Sequence, residues 1–237
     1  MMFPNELLTS PLFGIGLTVI AYCFSEYVVK KLHLSSLPPI VLACPIIMAV
    51  IMINPKLEYE HYEEGAAFIN FLLGPATIAL ALPLIRNRKI IKEKAPLILG
   101  GICVATVTAI CSVYVCGKMF GASEQVLLSL LPKSITTPIA VQVSNTIGGI
   151  PALTAAAVIF TGMIGAAFNH KVLHLAGVKS DLAIGLSIGA SSHGIGTSAC
   201  ANVSAVQLAI GGVAIALTGI ATSIFAPLLL PMLQNVL

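Results

Sequence analysis

The sequence predicts an all-α polytopic membrane protein: about seven transmembrane helices plus a re-entrant hairpin, arranged as two inverted pseudo-repeats with discontinuous helices. Three observations lead there. Of 237 residues, 57% are hydrophobic and 9% charged, whereas a soluble domain carries about 25% charged residues. Mean hydropathy is +1.01. The apolar runs also follow one another without a polar linker, so residues 1–237 read as a single membrane domain with halves at about 11–118 and 125–237.

A bilayer core of about 30 Å takes roughly 20 apolar residues per helix. Runs of that kind cover residues 11–29, 37–53, 66–85 and 96–116, then 125–148 (broken), 151–168, 182–200 and 203–233. The last is long enough for a tilted or kinked helix, with Pro227 and Pro231 near its end. Residues 1–10 lack a basic stretch, so the first run is expected to be a span and not a cleavable signal.

Lys and Arg in short loops set orientation. Lys30 and Lys31 follow the first run; Arg86, Arg88, Lys89, Lys92 and Lys94 follow the third. Both groups are assigned to the cytoplasm. The acidic loop holding Glu58, Glu60, Glu63 and Glu64 is then outside, as is the N-terminus. Loop 169–180, with Lys171 and Lys179, is also cytoplasmic only if 125–148 crosses twice or not at all. A re-entrant hairpin meets that condition, and Pro132, Lys133 and Pro138 interrupt any continuous helix there.

Charge is clustered in loops and forms no basic stripe, so no nucleic-acid partner is expected. The cysteines, Cys23, Cys44, Cys103, Cys111, Cys116 and Cys200, show no CxxC spacing. They read as small apolar residues packing between helices, with no metal and no cofactor.

Three interruptions carry the chemistry. Pro75 lacks an N–H and clashes with the preceding turn, so the helix kinks or restarts beside Thr77. A restarted helix exposes unpaired N–H groups; an ordinary proline kink is the alternative. In the hairpin, Lys133 is the only charged side chain between Gln125 and Phe168, next to Ser134, Thr136 and Thr137, with Asn145 two turns on. Thr137 before Pro138 suits a helix cap. Lys133 either snorkels to the interface or attracts an anion. In the run at 189–198, Ser191, Ser192 and His193 sit among three glycines, with Ser191 or Ser192 as a cap for a second half-helix. A packing face explains the glycines but neither the hydroxyls nor the histidine.

Restarted helices meeting near mid-depth, with one lysine and no carboxylate in the later runs, suit a small anion. His193 is the residue for a proton-linked step. Gly185-Leu186-Ser187-Ile188-Gly189 fits a nucleophile-elbow pattern, but Ser187 and His193, six residues apart, would face about 240° apart on a helix. No enzyme is expected.

The segments Leu130-Leu131-Pro132-Lys133-Ser134-Ile135-Thr136-Thr137-Pro138-Ile139-Ala140, Ile147-Gly148-Gly149-Ile150-Pro151 and Ala190-Ser191-Ser192-His193-Gly194-Ile195-Gly196-Thr197 resemble, in that order, the LrgB/CidB family. Gly74-Pro75-Ala76-Thr77 adds a weaker match. The resemblance implies a multi-pass protein of the bacterial inner membrane, working with a small LrgA/CidA-type membrane protein. It implies one of two activities. The first is secondary transport of small monocarboxylates (pyruvate, lactate, glycolate or glycerate), to which the inverted halves add alternating access, His193 a candidate proton link, and carrier architecture a homodimer. The second is a holin- or antiholin-like pore or regulator of murein hydrolases and cell lysis. Substrate contacts would fall on Pro75, Thr77, Lys133, Ser134, Thr136, Thr137, Asn145, Ser191, Ser192 and His193. Relatives carry an Arg and a Glu after the histidine motif; here Ser198-Ala199-Cys200-Ala201-Asn202 has neither.

Overall fold

The structure, a computed structural model, describes residues 10–32, 39–54, 57–72, 75, 78, 79 and 81–236. Among these every regular element is a helix. Four are long and apolar enough to cross a membrane, and Ile40–Ile53 is a shorter apolar helix. The chain divides into two compact units, Met1–Ala76 and Thr77–Leu237.

The first unit holds α1 (Pro11–Lys31), α2 (Ile40–Ile53) and α3 (Tyr59–Phe71). Ser10 caps α1 by accepting the Leu12 N–H, with Pro11 in the first turn. Ala21, Ala43 and Ile47 form the core, and Thr18 Oγ1 lies 2.9 Å from the Tyr62 hydroxyl. The expected acidic loop is in fact the start of α3. Glu60 sits in its first turn, where the partial positive charge of a helix N-terminus favours it. The expected run at 66–85 is therefore not one helix, since α3 ends at Phe71.

The second unit comprises α4 (Ala81–Arg86), α5 (Arg88–Glu93), α6 (Ala95–Met119), α7 (Glu124–Leu130), α8 (Thr137–Ile147), α9 (Pro151–Leu175), α10 (Asp181–Ser198), a 3-10 turn (Ala199–Asn202) and α11 (Ala205–Val236). α9 outruns its expected end at 168. Nothing breaks it before Gly177, whose φ of +74° lets Val178 N–H bond back to the Leu173 carbonyl. Phe160, Ile164 and Phe168 form an outward apolar stripe on α9, as lipid contact requires, while Val158, Gly162 and Gly165 face inward.

Two segments leave the bundle's ends and come back. Residues 130–149 depart from α7 and return beside it. The Ile150 N–H donates to Ser129 Oγ (2.7 Å), which donates to the Gln125 carbonyl (2.6 Å). The Thr154 hydroxyl lies 2.9 Å from the Ser129 carbonyl oxygen and 2.7 Å from Ser144 Oγ. Neither helix of this excursion is long enough to cross: α8, with 11 residues, is about 16 Å long.

The second excursion is α10 itself. It is broken by Ser192 (φ −139°, ψ 17°) and His193 (φ 42°, ψ −146°). Gly185 abuts Gln207 and Gly189 abuts Gly211, so the first limb of α10 runs parallel to α11. Beyond His193 the chain comes back down. Thr197 lies against Gly211, and Ser204 Oγ donates to Asp181 Oδ2 (2.7 Å). The expected crossing at 182–200 is thus an out-and-back path whose two feet are clasped at Asp181.

The excursions enter from opposite ends of α11. Glu124, at the foot of the first, accepts from Gln234 Nε2 (2.6 Å), and Ile139 near its tip packs on Gly219. The second starts beside Gln207 and turns at His193, about one helical turn beyond the Thr197–Gly211 contact. Two apolar clusters follow this division. One joins Ile110, Tyr114, Leu131, Ile135, Val158 and Ala226 around the first excursion. The other joins Ile98, Ile102, Leu186, Ala190, Ile210 and Val213 around the second.

Four of the six cysteines, Cys23, Cys44, Cys103 and Cys116, are exposed on helix surfaces and do not pack between helices; Cys200 is buried and Cys111 half-buried. A small polarizable thiol is as compatible with lipid as with protein.

Candidate functional site

His193 is the focus of the second unit. Its backbone lies at positive φ, and it is the only described residue other than glycine that does so. Such a conformation costs about 1–3 kcal/mol and persists only where surrounding contacts impose it. The contacts are explicit. The ring is buried, and Nε2 lies 2.8 Å from the Val158 carbonyl oxygen. Nδ1 accepts the Ile195 N–H (3.5 Å), so the proton of the neutral ring is on Nε2, which donates to Val158. Thr197 Oγ1 donates to the His193 carbonyl (2.7 Å).

The histidine therefore caps the returning limb itself, a role expected of Ser191 or Ser192. Ser192 is turned to α9, where Asn169 Nδ2 donates to its Oγ (2.7 Å) and reaches Ser191 Oγ (3.2 Å). The close fit depends on α9 having no side chain at two positions. A Cβ on Gly162 would come within 2.7 Å of His193 Cε1, and one on Gly165 would overlap Ser192 Cβ and Oγ. At the foot of this excursion, Gln207 Nε2 donates to Asp181 Oδ1 (2.8 Å), and Gln207 Oε1 lies 2.9 Å from His170 Nε2.

At the other tip, Lys133 is half-buried in the turn before α8, with no ion-pair partner among the described residues. Ser134 is buried; Thr136 and Thr137 are half-buried. The cap of α8 is Thr136, one residue before the expected Thr137, and it makes no side-chain capping bond. Pro138 in the first turn offers no N–H for such a bond.

The expected residues thus gather at two tips, Lys133 to Thr137 and Ser191 to His193. Val158 links them: its side chain belongs to the apolar cluster of Leu131 and Ile135, and its carbonyl accepts the hydrogen bond from His193 Nε2. Asn145 does not join them, being exposed on α8. Pro75 has helical backbone and is exposed, and Gly74 and Thr77 lie outside the described residues. Ser187 is exposed while His193 is buried, so they form no nucleophile–base pair. Sequence reasoning missed Asn169, which it placed in a loop, and the Gly162/Gly165 cradle, whose signal was small residues three apart on one helix face.

No group of His, Cys, Asp and Glu among the described residues has metal-site geometry. No solved structure matches the chain. A protein of Haemophilus influenzae without an assigned role is 39% identical over 182 residues, covering 77% of this chain and 79% of its own. The antiholin-like protein LrgB of Bacillus mycoides is 32% identical, covering 94% of this chain and 96% of its own. The holin-like protein CidB of Staphylococcus epidermidis is 31% identical, covering 95% and 98%. The family model described as LrgB-like matches residues 18–232, and with these relatives it establishes that this multi-pass membrane chain belongs to the LrgB-like family.

Proposed function

We propose that this protein acts in the cell membrane in the role its relatives are named for, as a holin- or antiholin-like component controlling lysis. The supporting observation is near full-length similarity to proteins named antiholin-like LrgB and holin-like CidB. In this reading it works with a small LrgA/CidA-type membrane protein in the inner membrane, N-terminus outside. The test is expression in a bacterial host lacking its own homologue, followed by measurement of detergent-induced lysis and murein hydrolase activity. A changed lysis rate that requires the small partner supports the role; identical lysis curves refute it.

A second reading concerns the molecular activity beneath that role: secondary transport of a small monocarboxylate, proton-linked at His193, in a homodimer. One observation favours it. Two out-and-back segments enter from opposite ends of α11 and bring Lys133–Thr137 and Ser191–His193 toward its middle. Such paired interruptions suit a carrier's central site. Proteoliposomes separate the activities. A carrier gives saturable uptake of labelled pyruvate, lactate or glycolate without releasing a trapped dye. A pore gives unsaturable flux and releases it.

A further inference from the structure

The fold collects positive charge at one end of the second unit. Ile98 and Ile102, in the first turns of α6, share a cluster with Ile210 near the start of α11, whereas Ile110 and Tyr114 share one with Ala226. The two helices thus start at the same end. α10 starts there as well, since Gln207 Nε2 donates to Asp181, and α9 ends there, with His170 Nε2 2.9 Å from Gln207 Oε1. Segment 86–94, which leads into α6, and segment 170–179 are therefore brought to one end. Arg86, Arg88, Lys89, Lys92 and Lys94 of the first are exposed, as are Lys171 and Lys179 of the second. From residue 77 onward the acids are Glu93, Glu124 and Asp181. Glu124 lies at the far end, and Asp181 is already held by Gln207 and Ser204.

An open cleft of about 450 Å³ lies at this end, lined by His170, Lys171, His174 and Leu175 of α9. α9 is long and apolar enough to cross a membrane. Lys171 and Leu175 stand two turns beyond Ile164 and Phe168 on the same face, so the cleft continues the outward apolar stripe of Phe160, Ile164 and Phe168. The helix-end carbonyls that would repel an anion are engaged. Those of Val172, His174 and Leu173 accept from the N–H groups of Ala176, Gly177 and Val178. Among the described residues neither Lys171 nor His174 has an ion-pair partner.

We propose that this cleft seats the phosphodiester headgroup of an anionic phospholipid, with Lys171 and His174 as donors and an acyl chain laid along Phe168, Ile164 and Phe160. The charge pattern selects an anionic headgroup, because no acid lines the cleft and cations surround it. Continuity with the apolar stripe selects a lipid over a free anion. A basic cleft at the end of a membrane-spanning helix holds such headgroups by charge and hydrogen bonding together. The assignment stands apart from both readings of the protein's activity.

The test is a thermal melt of the purified full chain in a neutral detergent. Dioleoyl phosphatidylglycerol is added in increasing amount, with dioleoyl phosphatidylcholine and inorganic phosphate in parallel series. Phosphatidylglycerol is expected to raise the melting temperature with saturation, and the other two are not. Replacing Lys171→Gln and His174→Gln together should raise the half-saturating lipid fraction about tenfold, as loss of hydrogen bonds to a charged group does. Lys171→Gln alone should raise it about fivefold. Lys171→Arg keeps the charge and should bind as the parent does. Lys89→Gln with Lys92→Gln removes two charges from the same end, outside the cleft, and should also bind as the parent does. All four positions are exposed, so the variants should melt with the parent when lipid is absent. The proposal is overturned if phosphatidylcholine stabilises as well as phosphatidylglycerol, or if inorganic phosphate gives the same shift. It is also overturned if Lys171→Gln binds normally, or if the Lys89/Lys92 pair costs as much as the cleft pair, which would mean diffuse attraction to the whole end.

Discussion

The imidazole of His193 rests on the bare α-carbon of Gly162, where a methyl group would come within 2.7 Å of Cε1 and 2.8 Å of Nε2. α9 therefore serves as both the hydrogen-bond acceptor and the floor of the tip. Gly162→Ala must push the ring off Val158, and overpacking of this kind costs about 1–3 kcal/mol. Gly100, also on a long helix, has nothing within 4 Å of its Cβ position. A thermal melt in detergent should show Gly162→Ala several degrees below the parent and Gly100→Ala level with it.

Ser129 closes the foot of the first excursion by accepting the Ile150 N–H at 2.7 Å while donating to Gln125. Ser129→Ala leaves that N–H without its partner, at a cost of about 1–3 kcal/mol. The loss should be local. Hydrogen exchange should speed up across 131–150, while the amides of α11 keep their protection.

The contrast between the two excursions explains what could be read from the chain. Pro132 and Pro138 announce the first, because each lacks an N–H and together they leave no room for a continuous helix. The second carries no proline. Its polar residues mark the place, but the reversal itself depends on His193 adopting a left-handed backbone, held by Val158, Gly162 and Asn169 on α9. Local propensity does not encode a conformation imposed by a helix 30 residues away. The loop expected to start at 169 starts only after Leu175 for a related reason: polar Asn169 and His170 extend α9 because Ser192 and Gln207 satisfy them.

Asp181 holds the foot of the second excursion through hydrogen bonds from Gln207 and Ser204, which keep its carboxyl below the usual range near 3.8; burial opposes the shift. A carboxylate depressed in the folded state adds stability above its unfolded value and loses it as pH falls through the folded one. The clasp should therefore be intact at pH 5 and loosen only below the ordinary carboxylate range. Hydrogen exchange at residues 199–208, relative to the intrinsic rate, should accelerate only as pH falls below 3.8. In Asp181→Asn, which has no carboxylate to titrate, that step should vanish.

The backbone of His193 makes glycine and alanine distinguishable substitutes. At φ 42°, ψ −146° an L side chain is strained, whereas glycine is not. His193→Ala loses the bond to Val158 and the cap on Ile195 yet keeps the strain. His193→Gly loses the same bonds and relieves it. His193→Gly should thus melt above His193→Ala by the equivalent of about 1–2 kcal/mol. If the imidazole serves only the fold, the glycine variant should retain uptake or lysis activity in proportion to its folded fraction. If it also serves passage of a solute or proton, both variants should be inactive at temperatures where His193→Gly is fully folded. Equal stability of the two would mean that the left-handed turn is not present in the membrane-embedded protein.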